Sequence, residues 1–388
     1  MKKTHLTNLP TDFLQNSGWN WTTNSLSPYI SNELIEVTEN EAAAFQKAGE
    51  ELYKLFIEAA EWVIRTKNYE QIGIPENMIP LIEYSWEHDN HWHLYGRFDL
   101  SGGLDGQPIK LIEFNADTAT CIPETAIIQW ACLMANGFEE NKQYNSLFET
   151  LVETFRKLKT MNSNLAPKIL FSGMEGSPED NTNIEILFEA AKSAGFEVAI
   201  EYIENIEFSK EEGIFIEKEN GEFENYPFWF KLIPWEFIAW DEPDLLEILQ
   251  ELVKKQQIII LNPAYTLLFQ SKGLLKILWD LNPNHPLLLE TKFEPIYGQK
   301  SVKKVMFGRE GANVQFISGY GTPLSNSIGE YQNQLAVYQA YTDFLKNEKG
   351  SFLQAGLFYS GESCALGFRA GGEIIDDTAM FCGHIIAN

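Results

Sequence analysis

Between Lys168 and Leu261 the chain alternates short apolar runs with helical stretches, and that alternation restricts the fold more than any single motif does. Lys168-Ile169-Leu170-Phe171 reads as a buried strand, Ser172 to Asp180 as a polar loop, and Asn183 to Ser193 as a helix ended by Gly195. Phe196 to Tyr202, Tyr226 to Ile233 and Ile258 to Leu261 return as strands, with a helix over Asp244 to Lys255. Adjacent parallel strands need a crossover, usually a helix, so this spacing predicts a doubly wound parallel sheet.

The flanks follow other patterns. From about Asn40 to Lys67 apolar residues such as Leu52, Leu55, Phe56, Ala59 and Val63 recur at helical spacing. His93 to Leu100 and Ile109 to Phe114 alternate on either side of Ser101-Gly102-Gly103-Leu104-Asp105-Gly106, which signals a hairpin. A helix is expected from about Glu124 to Asn136. Lys292 to Phe316 and Phe352 to Ile375 read as strand-rich, with a helix over Gln332 to Leu345. No repeat or low-complexity tract interrupts the chain, so residues 1–388 are expected to form one packed unit. Its parts run over about 1–160 (hairpin and helices), about 161–262 (α/β) and about 263–388 (strand-rich). The fold class is α/β (α+β).

With 29 basic and 55 acidic residues the net charge is -26. Such a surface repels nucleic acid and anionic membrane and favours a cationic partner such as a polyamine, although its plainest consequence is solubility. Met1-Lys2-Lys3-Thr4-His5 leads into no apolar run, so no secretory signal is expected, and no stretch approaches the ~18 apolar residues of a membrane span. Cys121, Cys132, Cys364 and Cys382 lack CxxC spacing, which suits reduced thiols in a cytoplasm better than disulfides or zinc. His88, His91 and His93 form HxxHxH without a further ligand motif, and read as a partly exposed loop before a strand.

Strand side chains alternate with period two, so Arg97 and Asp99 share one face of the first hairpin arm, and Glu113 and Asn115 one face of the second. Two carboxylates and an amide oxygen, completed by phosphate oxygens, suit Mg²⁺; an exposed face carrying a salt bridge is the simpler alternative. Asp117-Thr118-Ala119-Thr120-Cys121 leads into a helix whose free amides would suit a carboxylate, or whose start Thr118 or Thr120 would cap. Cys121 itself reads as a small buried hydrophobe. Lys272 opens a helical run, and Lys304 precedes Gly308-Arg309-Glu310-Gly311-Ala312-Asn313. A lysine beside a small glycine loop can cover a triphosphate, and no P-loop occurs; an ordinary hairpin turn would also explain the loop. Arg369, in Gly367-Phe368-Arg369-Ala370-Gly371-Gly372, could stabilise a transferring phosphoryl group or sit on the surface beside a turn.

In order and company, Arg97-Phe98-Asp99, Glu113-Phe114-Asn115-Ala116-Asp117-Thr118, Asn262-Pro263 with Lys272, Lys304 with Gly308 to Asn313, and Gly367-Phe368-Arg369 resemble the synthetase part of the glutathionylspermidine synthase family. The resemblance runs from about residue 10 to the C-terminus. It implies an ATP-grasp clamp, formed by the last part of the chain, with the doubly wound unit as an additional subdomain. It implies a cytoplasmic, ATP- and Mg²⁺-dependent ligase that activates a small-molecule or peptide carboxylate as an acyl phosphate, which an amine attacks. By motif, Asp99, Glu113 and Asn115 would bind magnesium, Arg97 would steady the acyl phosphate, and Arg369 would stabilise phosphoryl transfer. Arg97, Asp99, Lys272, Lys304, Glu310, Gly311, Gln339, Gln354, Ile374, Ile375 and Asp376 fall where the family contacts ATP, and Thr118 and Thr120 where it contacts a peptide substrate. Bifunctional members carry an amidase domain ahead of the synthetase, and no hydrolytic half is expected here. After Lys231 the family's synthases carry a threonine that helps hold glutathione; here Leu232 stands, so the resemblance is to stand-alone acid–amine ligases. The alternatives are a non-catalytic ATP-binding protein of the same fold, and a carbohydrate-active protein using acidic pairs with Trp229 and Trp235.

Overall fold

The computed structural model describes residues 2–22, 29–327, 329, 334–348 and 350–387. The long helix Glu39–Thr66 starts at a capping box: Thr38 accepts from the Glu41 amide, and the Glu41 carboxylate accepts from the Thr38 amide at 2.9 Å. Its buried face, with Phe45, Leu52, Phe56 and Ala59, lies in the same core as the back of the predicted hairpin. Phe45, Leu52 and Phe56 each contribute about 1.5–3 kcal/mol on burial.

The hairpin consists of strands Gly96–Ser101 and Lys110–Asn115. Its turn needs glycine: at Gly102 (φ +73°) an added Cβ would lie 2.1 Å from the Pro108 carbonyl oxygen, and at Gly103 (φ +84°) 2.3 Å from the Phe45 ring. Phe98 and Phe114 are cross-strand partners whose rings stack at 3.9 Å between centroids, with Phe56 at 5.0 Å from Phe114. Burying this phenylalanine face fixes the register and leaves the opposite face to Arg97, Asp99, Glu113 and Asn115. The hairpin forms one edge of a six-stranded sheet that continues through Phe352–Tyr359, Ser363–Gly371 and Met380–Cys382.

The alternating segment folds as predicted into a parallel sheet of four strands, Lys168–Ser172, Glu197–Ile200, Phe228–Lys231 and Ile259–Leu261. Lys168–Ser172 and Phe228–Lys231 lie side by side at its centre, so the connections diverge from that point, as in doubly wound sheets. Helices Pro178–Ser193 and Pro243–Lys254 supply crossovers, and a three-stranded antiparallel flap over residues 207–225 precedes the third strand.

A five-stranded sheet in the last third contains Ser301–Val305, Gln315–Ile317 and Pro323–Asn326. The expected helix over Gln332 to Leu345 is not there: Ala336–Ala340 is a strand between Thr291–Lys292 and Ser301–Val305, and Leu345–Lys346 a short strand against Phe352–Tyr359. Residues 332 and 333 lie outside the described residues. Pairing on both edges outweighs the helical spacing of its apolar residues. The expected helix from Glu124 to Asn136 begins with a π-helical turn, Glu124–Ile128, before the α-helix Gln129–Ala135. Among the described residues, no helix is long and apolar enough to cross a membrane.

Candidate active site

The six-stranded and five-stranded sheets face one another across a cleft of about 190 Å³. Lys304 on Ser301–Val305 donates to the Ile112 carbonyl at 3.1 Å, and Gln339 donates to the Leu111 carbonyl at 3.2 Å. These bonds hold the five-stranded sheet against the outer arm of the hairpin. Every residue that the resemblance assigns to magnesium, nucleotide, phosphoryl transfer or substrate lines this cleft except Asp376. The Asp376 carboxylate instead accepts from Thr378, and its carbonyl accepts from Arg369 at 2.7 Å.

On the hairpin the register places Arg97 opposite Asn115 and Asp99 opposite Glu113. Arg97 grips Asp99 in a fork, Nε to Oδ1 at 2.7 Å and Nη2 to Oδ2 at 3.1 Å, and donates to the Thr120 carbonyl at 2.7 Å. Burial alone would lower its basicity, but Asp99 overrides that and raises it, so the guanidinium stays charged. Asn115 donates to Asp99 at 3.1 Å. Glu113 meets Lys272 at 3.3 Å; burial would raise its pKa, but Lys272 and Lys304 together hold it below the usual carboxylate range. Lys304 is pushed down to about 8 by burial, with Lys272 adding to the effect.

Lys272 also donates to the Gly308 carbonyl at 2.6 Å, tying it to the glycine loop. That loop turns through left-handed residues at Glu310 (φ 52°), Gly311 (φ 69°) and Asn313 (φ 55°). Gly311 packs against the backbone of Ile375, where a Cβ would approach the carbonyl oxygen to 3.0 Å. Arg369 stands opposite Gln354 in the sheet and shares the cleft with Arg97. It is half-buried and hydrogen-bonded to its own hairpin end, so it is more than a surface charge beside a turn.

Thr118 and Thr120 line the cleft, but neither caps the following helix, whose N-cap Pro123 has no side-chain hydrogen bond. The loop from Asn115 to Cys121 is held from below by residues to which the motifs assigned no role. Gln270 accepts from the Ala116 and Asp117 amides at 2.9 and 3.3 Å, and Asn262 donates to the Asp117 carbonyl at 2.7 Å. Asp117 and Lys231, both fully buried, pair at 3.1 Å, and Asp117 also accepts from the Trp235 amide at 2.9 Å. The available signal was a single lysine inside the apolar run Phe228 to Ile233, since a buried lysine demands a counter-ion. Leu232 follows at the strand's end, its amide bonded to the Ser172 carbonyl at 2.8 Å.

Cys121 is buried, with burial and Glu124 pushing its thiol up to about 12. Glu124 is fully buried, accepts from Tyr29, and has its carboxyl raised by burial.

The histidines form no metal centre. His93 bonds the Ala116 carbonyl at 2.9 Å and Tyr53 at 3.2 Å, and His88 the Tyr84 carbonyl at 2.7 Å. His91 and His93 are buried rather than partly exposed, and burial lowers both to about 4. Among the described residues no three His, Cys, Asp or Glu side chains converge as a metal site. Trp229 and Trp235 are fully buried in the core, so neither is available as an aromatic platform for a carbohydrate.

The model of the family described as glutathionylspermidine synthase preATP-grasp matches residues 1–387. The chain belongs to that family. It is 30% identical over 352 residues to a Haemophilus influenzae protein named "Putative acid–amine ligase", covering 88% of this chain and 86% of that one. It is 26% identical over 353 residues to the bifunctional glutathionylspermidine synthetase/amidase of Escherichia coli, covering 84% of this chain and 54% of the relative. Trypanothione synthetase of Crithidia fasciculata is 23% identical over 319 residues, 77% of this chain and 48% of that one. The chain thus spans about half the length of these last two relatives. Among solved structures, a glutathione synthetase-like effector from Globodera pallida superposes with a TM-score of 0.52 at 11% identity, covering 98% of each chain. That likeness extends the mixed α/β architecture over the whole chain.

Proposed function

We propose that the chain is an ATP- and Mg²⁺-dependent ligase of the ATP-grasp type that joins a carboxylic acid to an amine. The observation that carries this reading is the composition of one cleft between two antiparallel sheets. It gathers the cations Lys272, Lys304, Arg97 and Arg369 with the hard oxygen ligands Asp99, Glu113 and Asn115. The relatives' names point to the same class of reaction.

In this reading the nucleoside lies among Val302, Phe316, Gln339 and Ile374, all of which line the cleft, with Lys272 and Lys304 on the phosphates and the glycine loop above them. The chemistry of the donors fits magnesium, because Asp99 and Glu113 are directly opposed and offer oxygen alone. Arg97 and Lys272 now neutralise those carboxylates, and they are the charges a metal would replace. Bound there, Mg²⁺ would screen the charge of the nucleotide phosphates. Arg97 and Arg369 flank the place where the γ-phosphoryl meets the acid held near Thr118 and Thr120. The carboxylate takes the phosphoryl group and ADP leaves; the amine nitrogen then attacks the acyl carbon and phosphate departs. The proton given up by the amine leaves with the departing phosphate or passes to water.

Thermal denaturation tests the nucleotide part. A ligand that binds only the native state raises the melting temperature, so Mg-ATP at about 100 times its Kd should add about 2.7 kcal/mol. Absence of any shift would overturn the reading. A shift without acid- and amine-dependent phosphate release would leave a non-catalytic ATP-binding protein.

A further inference from the structure

The glycine loop faces two ways. Glu310 and Gly311 line the cleft, whereas Arg309 also reaches across to the helix Trp235–Asp241, which follows the third strand of the parallel sheet. There its Nη2 meets Glu236 Oε1 at 2.5 Å, and its guanidinium lies 5.3 Å from the Phe237 ring. One turn along, Trp240 meets Phe307, at the base of the loop, edge-on at 5.9 Å. Glu236 is fully buried, and among the described residues Arg309 is the cation in ion-pair contact with its carboxylate. Arg309 comes from a loop and keeps 21% of its side chain exposed, so it is the member of the pair that movement of the loop would withdraw. Leaving would strand a buried carboxylate, which opposes opening of the loop. The neighbouring Trp235 amide is held by Asp117, the residue immediately before Thr118. One helix start therefore anchors both the glycine loop and the loop that borders the cleft at Thr118 and Thr120.

We propose that the Arg309–Glu236 pair is a latch that holds the glycine loop closed over the nucleotide phosphates, making both of them positioning residues for nucleotide binding. The inference rests on the nucleotide reading of the cleft. It predicts non-additive effects, because either substitution alone releases the loop.

The test compares the parent with E236Q, R309Q and the double variant, all as full chains. Two quantities are read: the dissociation constant for Mg-ATP, and amide exchange of the 306–314 segment in nucleotide-free protein. E236Q should weaken Mg-ATP binding at least about tenfold (about 1.4 kcal/mol) and speed exchange of the segment. R309Q should do the same, and the double variant should be no worse than either. The double variant leaves no buried charge stranded, so it reports on the latch even if R309Q, which leaves the Glu236 carboxylate unpaired, fails to fold. Unchanged binding and exchange in E236Q would overturn the proposal, as would effects that simply add. If the parent bound no Mg-ATP while E236Q still loosened the segment, the nucleotide reading would fail and the latch itself would stand.

Discussion

Substitution of the buried Asp117–Lys231 pair should show strong coupling. Both side chains have no exposed surface, and the pair closes at 3.1 Å. Lys231 also donates to the Ile233 carbonyl at 2.8 Å, and its ammonium lies 4.2 Å from the Trp235 ring. K231M leaves Asp117 with the Trp235 amide as a donor but no counter-ion. D117N leaves an ammonium with a carbonyl and an amide oxygen. Breaking a buried pair by removing one member costs about 3–5 kcal/mol, whereas removing both charges at similar volume is often nearly neutral. Each single variant should therefore lose about 3–5 kcal/mol of unfolding free energy, and K231M/D117N much less than the sum. The coupling should reach about 2 kcal/mol or more, within the range for residues that share a network. Urea unfolding followed by tryptophan fluorescence suits the measurement, because the buried Trp235 ring lies against the Lys231 ammonium. Single-variant losses below about 1 kcal/mol, or losses that add within about 0.5 kcal/mol, would refute the reasoning.

Three further outcomes are expected. R369A should keep Mg-ATP affinity within a few-fold while turnover falls by about 10³ or more, as for arginines that stabilise transferring phosphoryl groups; turnover at the parental rate would remove Arg369 from that role. Lys304 is held near 8 chiefly by burial, and its protonated form is the one that attracts phosphate. Its share of nucleotide affinity is thus complete below pH 8 and declines by up to about tenfold per unit above it. Binding measured from pH 7 to 9.5 should show that decline in the parent and not in K304M. The 2′- and 3′-hydroxyls and base contribute little charge, so raising salt should weaken ATP binding far more than adenosine binding.

How much of this was legible in the sequence depended on whether the deciding forces were local. The hairpin was, because its glycine-rich turn and its alternation around Phe98 and Phe114 act within about one strand length. So was the parallel sheet, whose strands are separated by periodic helices. The strand Ala336–Ala340 was not: its apolar spacing suits a helix, and only pairing with Thr291–Lys292 and Ser301–Val305 makes it extended. The charged support of the site was also hidden. Asp117 and Lys231 are 114 residues apart, and Glu236 meets a loop arginine in the last third of the chain. Nothing in the order of residues pairs them; burial does. The cleft residues stood out as motifs, but most of them lie within strands, as Arg97, Asp99, Glu113, Lys304, Gln339 and Arg369 do, and only the pairing and facing of those strands brings them together.

The most direct test of the central claim is isotope transfer during a screen of carboxylic acids and amines with Mg-ATP. When an acid carrying ¹⁸O in its carboxylate is turned over, the expected products are ADP, phosphate bearing one ¹⁸O per turnover, and a compound whose mass is acid plus amine less one water. AMP and pyrophosphate, or phosphate released without ¹⁸O, would contradict activation of the acid as an acyl phosphate.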